Sequence, residues 1–256
     1  MEKFKLALAQ FNSEPGNLLA NLKKMLGYVE RASKEGARII IFPEMCLPGY
    51  MVMDGKDFHN FYALATEFTD DATAELLKAS QKYNVDIIYG ASTKSQNLEG
   101  IYFNSAILIT SQGLIEVYHK SHLPTGNHGG TVFYEGLYAK PGSSFPVIEL
   151  DYVRLGMEVC YDLFFPEVSR ILAIKGAELI VNISAGPITS KPSFDKILPA
   201  RALENACYFA YVNVAGTQKK ISFFGHSRLL NPLWAPVLEL KQDQEDFGVA
   251  ELNPEI

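Results

Sequence analysis

Along this chain, short apolar stretches alternate with longer segments in which apolar residues recur at helical intervals. Phe4-Lys-Leu-Ala-Leu-Ala-Gln10 has the period-two pattern of a half-buried strand. Asn17 is placed to cap a helix whose apolar positions are Leu18, Leu19, Leu22, Leu26 and Val29, and Gly36 is placed to end it. Arg38-Ile-Ile-Ile-Phe42 then reads as a buried strand. The same patterning predicts a helix over 71–83 and strands near 85–91, 102–110 and 114–119. Further on it predicts a strand over 153–159, a helix over 165–175 and a strand over 178–183. A helix around 193–206 and strands near 208–214, 223–230 and 246–251 complete the pattern.

One segment repeats in kind. Lys34-Glu-Gly-Ala-Arg-Ile-Ile-Ile41 and Lys175-Gly-Ala-Glu-Leu-Ile-Val181 are each a helix end, a glycine and a buried strand. The echo predicts two similar halves whose sheets pack face to face with helices outside. No linker or low-complexity run interrupts the pattern, so a single domain over 1–256 is expected. Pro124-Thr-Gly-Asn-His-Gly-Gly130 is the best candidate for a mobile loop, and it lies next to Lys120.

Composition narrows the function. With 256 residues, 48% hydrophobic and 20% charged, the chain can bury a large core and leave surface for a second subunit. A net charge of -6 gives no basic footprint for nucleic acid or an anionic membrane. No run reaches the roughly 20 apolar residues of a membrane span, and Met1-Glu2-Lys3 leads straight into the first strand without a signal-peptide core. Three cysteines make a poor disulfide framework, so a cytoplasmic location is expected.

Three apolar runs end in a chemically active residue: Ile-Ile-Ile-Phe-Pro-Glu44, Tyr-His-Lys120 and Gly-Met-Glu-Val-Cys160. A thiol, a carboxylate and an ammonium delivered from separate strand ends can surround one carbonyl carbon. The thiol attacks, the carboxylate moves its proton, and the ammonium holds the charge that develops on oxygen. Cys160 stands between a strand and the helix that follows Tyr-Asp-Leu-Phe-Phe-Pro-Glu167, a turn where backbone N–H groups favour negative charge. Cys46 and Cys207 lack such a setting and read as packing residues. Phe42-Pro43-Glu44 fixes the carboxylate's backbone and Tyr50 follows close by. A Cys–His–Asn hydrolase using His119 or His122 fits less well, because neither histidine has a distinguishing setting. A metal site of His119, His122 and His128 lacks a completing ligand pattern, so no metal or other cofactor is expected. His226 reads as a structural or pocket-lining residue, and Trp234, in Asn-Pro-Leu-Trp-Ala-Pro, as part of a packing turn.

These segments resemble the nitrilase, or carbon–nitrogen hydrolase, superfamily. The resemblance rests on Phe-Pro-Glu44, on His-Lys120 with His-Leu-Pro124, and on Cys160-Tyr-Asp-Leu-Phe-Phe-Pro-Glu167. It extends through Ala-Gln10-Phe, Tyr102-Phe-Asn104-Ser105, Ala200-Arg-Ala-Leu-Glu204-Asn205 with Tyr208, Asn213-Val-Ala-Gly216 and Phe224-Gly-His-Ser227. The resemblance implies an α/β fold, a four-layer α-β-β-α sandwich of two packed sheets with outer helices. It implies a Glu44–Lys120–Cys160 triad, a homodimer or higher homo-oligomer, and a second glutamate, which falls on Glu135 in Val132-Phe-Tyr-Glu-Gly-Leu-Tyr138. The interval from Lys120 to Cys160 is long for the family, with Gly-Asn-His-Gly-Gly as the insertion.

The expected reaction is cleavage of a small amide to carboxylate and ammonia through a thioester on Cys160. Tyr50, Tyr161, Asp162, Phe164 and Ser184 are the candidates for substrate contact. Cys160-Tyr161-Asp162 in place of a nitrilase's Cys-Trp-Glu favours an amide or carbamoyl substrate over a nitrile. Phe164 replaces the arginine with which the resembling omega-amidases would meet a carboxylate, which favours a neutral or apolar group. An N-carbamoyl amine is the runner-up, with Asp162 or Glu135 available to an amine. Nitrilase activity, glutaminase activity and a non-catalytic scaffold of the same fold are further alternatives.

Overall fold

The computed structural model describes residues 1–50, 61–62, 67–128 and 130–255. The chain opens with β1 (Phe4–Gln10), α1 (Leu18–Lys34), β2 (Ile39–Ile41), α2 (Glu67–Tyr83), β3 (Asp86–Lys94), β4 (Tyr102–Ile109) and β5 (Ile115–His119). A hairpin of β6 (Thr125–His128) and β7 (Thr131–Tyr134) leads into a one-turn helix, α3 (Glu135–Tyr138). Then come β8 (Val147–Glu149), β9 (Arg154–Val159), a 3₁₀ turn at Cys160–Phe164, α4 (Pro166–Ile174), β10 (Leu179–Ser184) and α5 (Lys191–Asn205). The last strands are β11 (Tyr208–Asn213), β12 (Ala215–Gln218), β13 (Ile221–Phe224), β14 (Arg228–Leu230), β15 (Pro236–Glu239) and β16 (Asp246–Leu252).

Two six-stranded sheets result, ordered β16-β1-β2-β3-β4-β5 and β15-β14-β11-β10-β9-β8. Each has three parallel central strands, β1-β2-β3 or β9-β10-β11, flanked by antiparallel ones. Alternation along the strands sorts their side chains. Leu6, Leu8, Ile39 and Ile41 of the first sheet share a core with Met157, Val159, Val181 and Ile183 of the second. Ala7, Ala9, Ile40 and Phe42 point the other way, onto Leu22, Met25 and Val29 of α1 and Leu76 of α2. On the far side, α4 and α5 bring Leu172, Leu198 and Ala202 onto the second sheet. The expected four-layer sandwich is the observed one.

The repeated segment is a structural repeat. Gly36 (φ 79°) and Gly176 (φ 95°) both turn left-handed after a helix, as few other residues can. In both halves the next amide bonds back into the helix, Ala37 N to Ala32 O at 2.9 Å and Ala177 N to Leu172 O at 3.0 Å. The following residue then joins the sheet, Arg38 N to Lys5 O and Glu178 N to Arg154 O, both at 2.8 Å.

Three expectations need correction. Leu19 faces solvent, 72% exposed, and Met25 takes its place in the buried stripe of α1. The strand expected near 223–230 is broken, because Gly225 (φ 60°) and His226 (φ 52°) are consecutive left-handed residues that end the pleat. The break turns Ser227 onto Gln10, whose Oε1 accepts from both Ser227 N and Oγ at 2.8 Å. The glycine-rich segment expected as a loop over 124–130 is instead, within the described residues, the first strand of the β6–β7 hairpin, with Thr125 opposite Tyr134 and His128 opposite Thr131. Its glycines hid a strand whose partner, Thr-Val-Phe-Tyr134, carries the β-propensity. Gly129 lies outside the described residues.

One glycine bears directly on Glu44. A Cβ added at Gly90 of β3 would sit 2.3 Å from Met45 N and 2.7 Å from the Glu44 backbone. Overpacking of this kind costs about 1–3 kcal/mol or more. Gly90→Ala is therefore expected to lower the unfolding free energy by at least about 3 kcal/mol in urea denaturation. Gly27→Ala, in the open middle of α1 with nothing within 4 Å, should raise it by about 0.5–1 kcal/mol.

Candidate active site

Both sheets deliver side chains to one place at the ends of their parallel strands. Beyond β2, Phe42 and Pro43 carry the chain into a turn that buries Glu44 completely. Lys120 follows β5 directly, its N–H on Asn104 O at 2.9 Å and its carbonyl accepting from Gly142 N at 2.8 Å. Glu135 opens α3, with its N–H on Pro124 O at 3.1 Å, so it closes the base of the hairpin. Cys160 ends β9 in a left-handed conformation (φ 48°), unusual for a residue with a side chain.

The charged groups interlock. Lys120 Nζ donates to Glu44 Oε1 and to Glu135 Oε2, both at 2.7 Å, and all three side chains are fully buried. Asn104 Nδ2 spans the same two carboxylates, donating to Glu44 Oε1 at 2.7 Å and to Glu135 Oε1. Glu44 Oε2 accepts from Ala185 N at 2.8 Å. Burial opposes the Lys120 ammonium, yet the charges of Glu135 and Glu44 outweigh it and hold its pKa well above the ordinary lysine value. Burial pushes Glu135 up to about 7, against the pull of Lys120. Burial, and then the charge of Glu44, push the Cys160 thiol well up, with Lys120 opposing, so the resting sulfur holds its proton. A neutral thiol beside an anchored carboxylate and a fixed ammonium is equipped for attack on a carbonyl coupled to proton transfer.

Cys160 lines a cavity of about 230 Å³, walled by Tyr161, Phe164, Phe133, Phe194 and His128. A larger hollow of about 620 Å³ between Tyr102, His122 and Lys140 shares Tyr161 with it but holds neither the thiol nor the carboxylates. Of the two, the smaller is the one lined by the thiol, and neither is lined by the carboxylates.

The expected substrate contacts divide. Tyr161 and Phe164 line the cavity. Tyr50 is buried edge-on against Phe223 in a cluster that includes Met45 and Ala185, within reach of the charges of Glu135 and Glu44. Ser184 is buried and donates its hydroxyl to Asn182 Oδ1 at 2.7 Å. Asp162 corrects the sequence reading: it is fully buried and offers substrate nothing. Its carboxylate accepts from Val159 N (3.1 Å), Tyr118 Oη (2.9 Å), Ser121 Oγ (2.6 Å) and His122 N (2.8 Å). It clamps the turn of Cys160 to the segment that follows Lys120.

Three histidines have partners other than the thiol, although His128 lines the same cavity. His119 Nδ1 is 2.8 Å from Ser105 Oγ, and His122 Nδ1 is 2.9 Å from Asp162 Oδ1. His128 donates to Thr125 O, with Nδ1 3.5 Å from the Tyr161 hydroxyl. Among the described residues no group of three His, Cys, Asp or Glu side chains could hold a metal ion.

Sequence reasoning missed Asn104 as a site residue, along with the Ala185 N–H. Asn104 left a signal, since it is a buried amide within the apolar run of β4. A backbone N–H leaves none. Glu158, a charge inside the apolar strand that ends at Cys160, also passed unremarked and is fully buried.

A model of the carbon-nitrogen hydrolase family matches residues 5–256. The chain is 35% identical over 246 residues to a probable nitrilase of Schizosaccharomyces pombe, covering 95% of this chain and 86% of that protein. It is 30% identical over 252 residues to 2-oxoglutaramate amidase of Bacillus subtilis, covering 98% and 91% of the two. Among solved structures it is similar to an amidase variant from Nesterenkonia sp. AN1 with acrylamide added to the active site cysteine. That match has a TM-score of 0.84 at 26% identity, covering 98% of this chain and 93% of that one.

The raised carboxyls set a pH dependence of stability. Burial lifts Glu158 to about 7, as it does Glu135. The folded chain thus holds protons that the unfolded chain releases near 4.5. Stability is therefore expected to fall as pH rises from about 4.5 to 7. Glu135→Gln and Glu158→Gln should each flatten that slope, and the double variant most, in urea denaturation across pH 5–7.5.

Proposed function

Because the chain belongs to the carbon-nitrogen hydrolase family, we propose that it hydrolyses the C–N bond of a small uncharged amide through a thioester on Cys160. Glu44, Lys120 and Cys160 are the reacting trio in this reading, within one domain over 1–256, with Glu135 holding Lys120 from its other side. The observation that supports it most is the fully buried Lys120 ammonium held at 2.7 Å by both carboxylates. Without chemistry to serve, so much buried charge is a poor exchange for apolar packing.

In this mechanism Glu44 takes the thiol proton as the Cys160 sulfur bonds to the carbonyl carbon. The electron pair displaced onto oxygen is held by the Lys120 ammonium and the Tyr161 N–H. As the intermediate collapses, the C–N bond breaks and Glu44 passes its proton to the departing nitrogen. A water then loses a proton to Glu44 as it attacks the thioester. The C–S bond breaks, the sulfur recovers the proton, and the carboxylic acid leaves. One water is consumed and one amine or ammonia is released.

The cavity argues for an uncharged substrate. Its described lining consists of aromatic rings, prolines, the thiol, the hydroxyls of Thr189, Ser190 and Ser193, and one imidazole. None of those residues brings a carboxylate, an ammonium or a guanidinium. Phe164 stands in that wall. An N-carbamoyl amine is the second reading, since it offers the same planar carbonyl and an apolar substituent for Phe133, Phe164 and Phe194. Self-association as a homodimer fits Ile174 and Leu203, 77% and 53% exposed on the outer helices. A cytoplasmic setting fits the three unpaired cysteines.

The test is ammonia release from aliphatic amides, N-carbamoyl amines, glutamine, dicarboxylic acid monoamides and nitriles. Neutral aliphatic amides are expected to turn over at least about tenfold faster than acid monoamides, one missing charge partner being worth about that factor. Cys160→Ala and Glu44→Gln should each lose about three orders of magnitude. Preference for an acid monoamide would overturn the neutral substrate, and full activity in Cys160→Ala would overturn the nucleophile. In iodoacetamide labelling, Cys160 should react first, ahead of the core cysteines Cys46 and Cys207.

A further inference from the structure

Two residues before the nucleophile, β9 carries a carboxylate that the reaction above does not use. Strand alternation puts Glu158 on the helix-covered side of the second sheet, while Met157 and Val159 fill the core between sheets. Glu158 is completely buried. Its Oε2 accepts from Ser169 Oγ of α4 at 2.7 Å and its Oε1 from Asn182 Nδ2 of β10 at 2.9 Å. The Arg201 guanidinium acts on it only through space, donating instead to Leu163 O and Glu204 Oε1, each at 2.9 Å. Asp162 adds a repelling charge from the turn. An ionisable group facing two neutral donors in a closed interior is poor packing, and an apolar side chain would serve the core better.

The remaining bonds of Asn182 give Glu158 a purpose. The same Nδ2 reaches the carbonyl of Cys160 at 3.4 Å, and Asn182 Oδ1 accepts from Ser184 Oγ at 2.7 Å. The next residue, Ala185, gives its N–H to Glu44 Oε2 and also faces the Cys160 thiol. One amide therefore touches the backbone of the nucleophile on one side. On the other it braces the strand end that presents a donor shared by base and thiol. Cys160 is left-handed at φ 48°, a conformation that lasts only where neighbours enforce it.

We propose that Glu158 is a positioning residue for Cys160, locking the Asn182 amide so that it holds the nucleophile's backbone and, through Ser184, the Ala185 N–H. The proposal rests on the reading of Cys160 as nucleophile and says which buried group aims it. Gln at 158 would keep an acceptor for Asn182 and turn its own amide onto Ser169 Oγ. Leu at 158 fills similar space and leaves Asn182 free to turn. Asn182→Asp keeps the shape and the acceptor for Ser184 but loses the bond donated to the Cys160 carbonyl and sets a second acid against Glu158.

Each variant is to be measured for thermal unfolding, for kcat and KM on the best amide of the panel, and for iodoacetamide alkylation of Cys160 followed by peptide mass. Glu158→Leu is expected to fold, to lose about tenfold or more in kcat with KM within about threefold, and to slow alkylation in parallel. Glu158→Gln should recover most of both rates, and Asn182→Asp should reproduce the loss. A purely structural residue would lower the unfolding temperature and leave kcat and alkylation of the folded protein alone. Folded Glu158→Leu with both rates within twofold of the unaltered chain would overturn the proposal. If that variant fails to fold, Asn182→Asp decides on the same criterion. Alkylation needs no substrate, so a chain inactive on every amide but slowed at Cys160 by Glu158→Leu would sink the amidase reading and keep this one.

Discussion

A lysine ammonium with no contact to water has to be neutralised where it stands, and much of this structure follows from that requirement. Two carboxylates meet Lys120, and a third partner is then needed to keep them from repelling each other. Asn104 fills that role by donating one amide group to both. The set carries one negative charge too many for a dry interior when both acids are ionised, and Glu135 answers by holding a proton up to about 7. Such a cluster can neither be exposed nor loosened without losing the field in which the thiol sits.

That constraint explains the architecture. Glu44 and Lys120 come from the ends of strands in one sheet, Cys160 from the end of a strand in the other. Packing the two sheets face to face is what brings them together. The internal repeat aligns the parallel strands of both halves so that their carboxyl ends open to the same side, the usual place for a site in α/β sheets. The repeat then diverges where the chemistry begins. The first half spends its strand end on an acid, the second on a thiol and on the Ala185 N–H that meets that acid.

Much of this was legible in the residues. Strand and helix positions followed from apolar spacing because the central strands are buried on both faces and α1 has a capped start and a glycine stop. Glu44, Lys120 and Cys160 were legible because each ends an apolar run, where a charge or a thiol is out of place unless used. Asp162 was misread because its pattern is that of a site residue while its bonds go to backbone N–H groups, hydroxyls and the His122 ring. The hairpin after Lys120 was misread because glycines carry no pattern of their own. Asn104 and Glu158 could have been flagged as polar groups inside strands, but their partners lie 31 to 60 residues away for the one and up to 24 for the other. Distances of that kind are set by the fold.

The hairpin has one more consequence. Its strands supply Phe133 and His128 to the cavity wall, and its last residue is followed at once by Glu135. The part of the molecule that walls the cavity beside Cys160 therefore also carries Glu135, which shares Lys120 with Glu44. Insertions and deletions drift most freely in such surface ribbons, and elsewhere on the fold they would be silent. Here a lineage that lengthens the ribbon to admit a bulkier molecule also shifts a carboxylate inside the charge cluster. Under the proposed reading, the shape of the cavity and the acidity of the cluster would then change together.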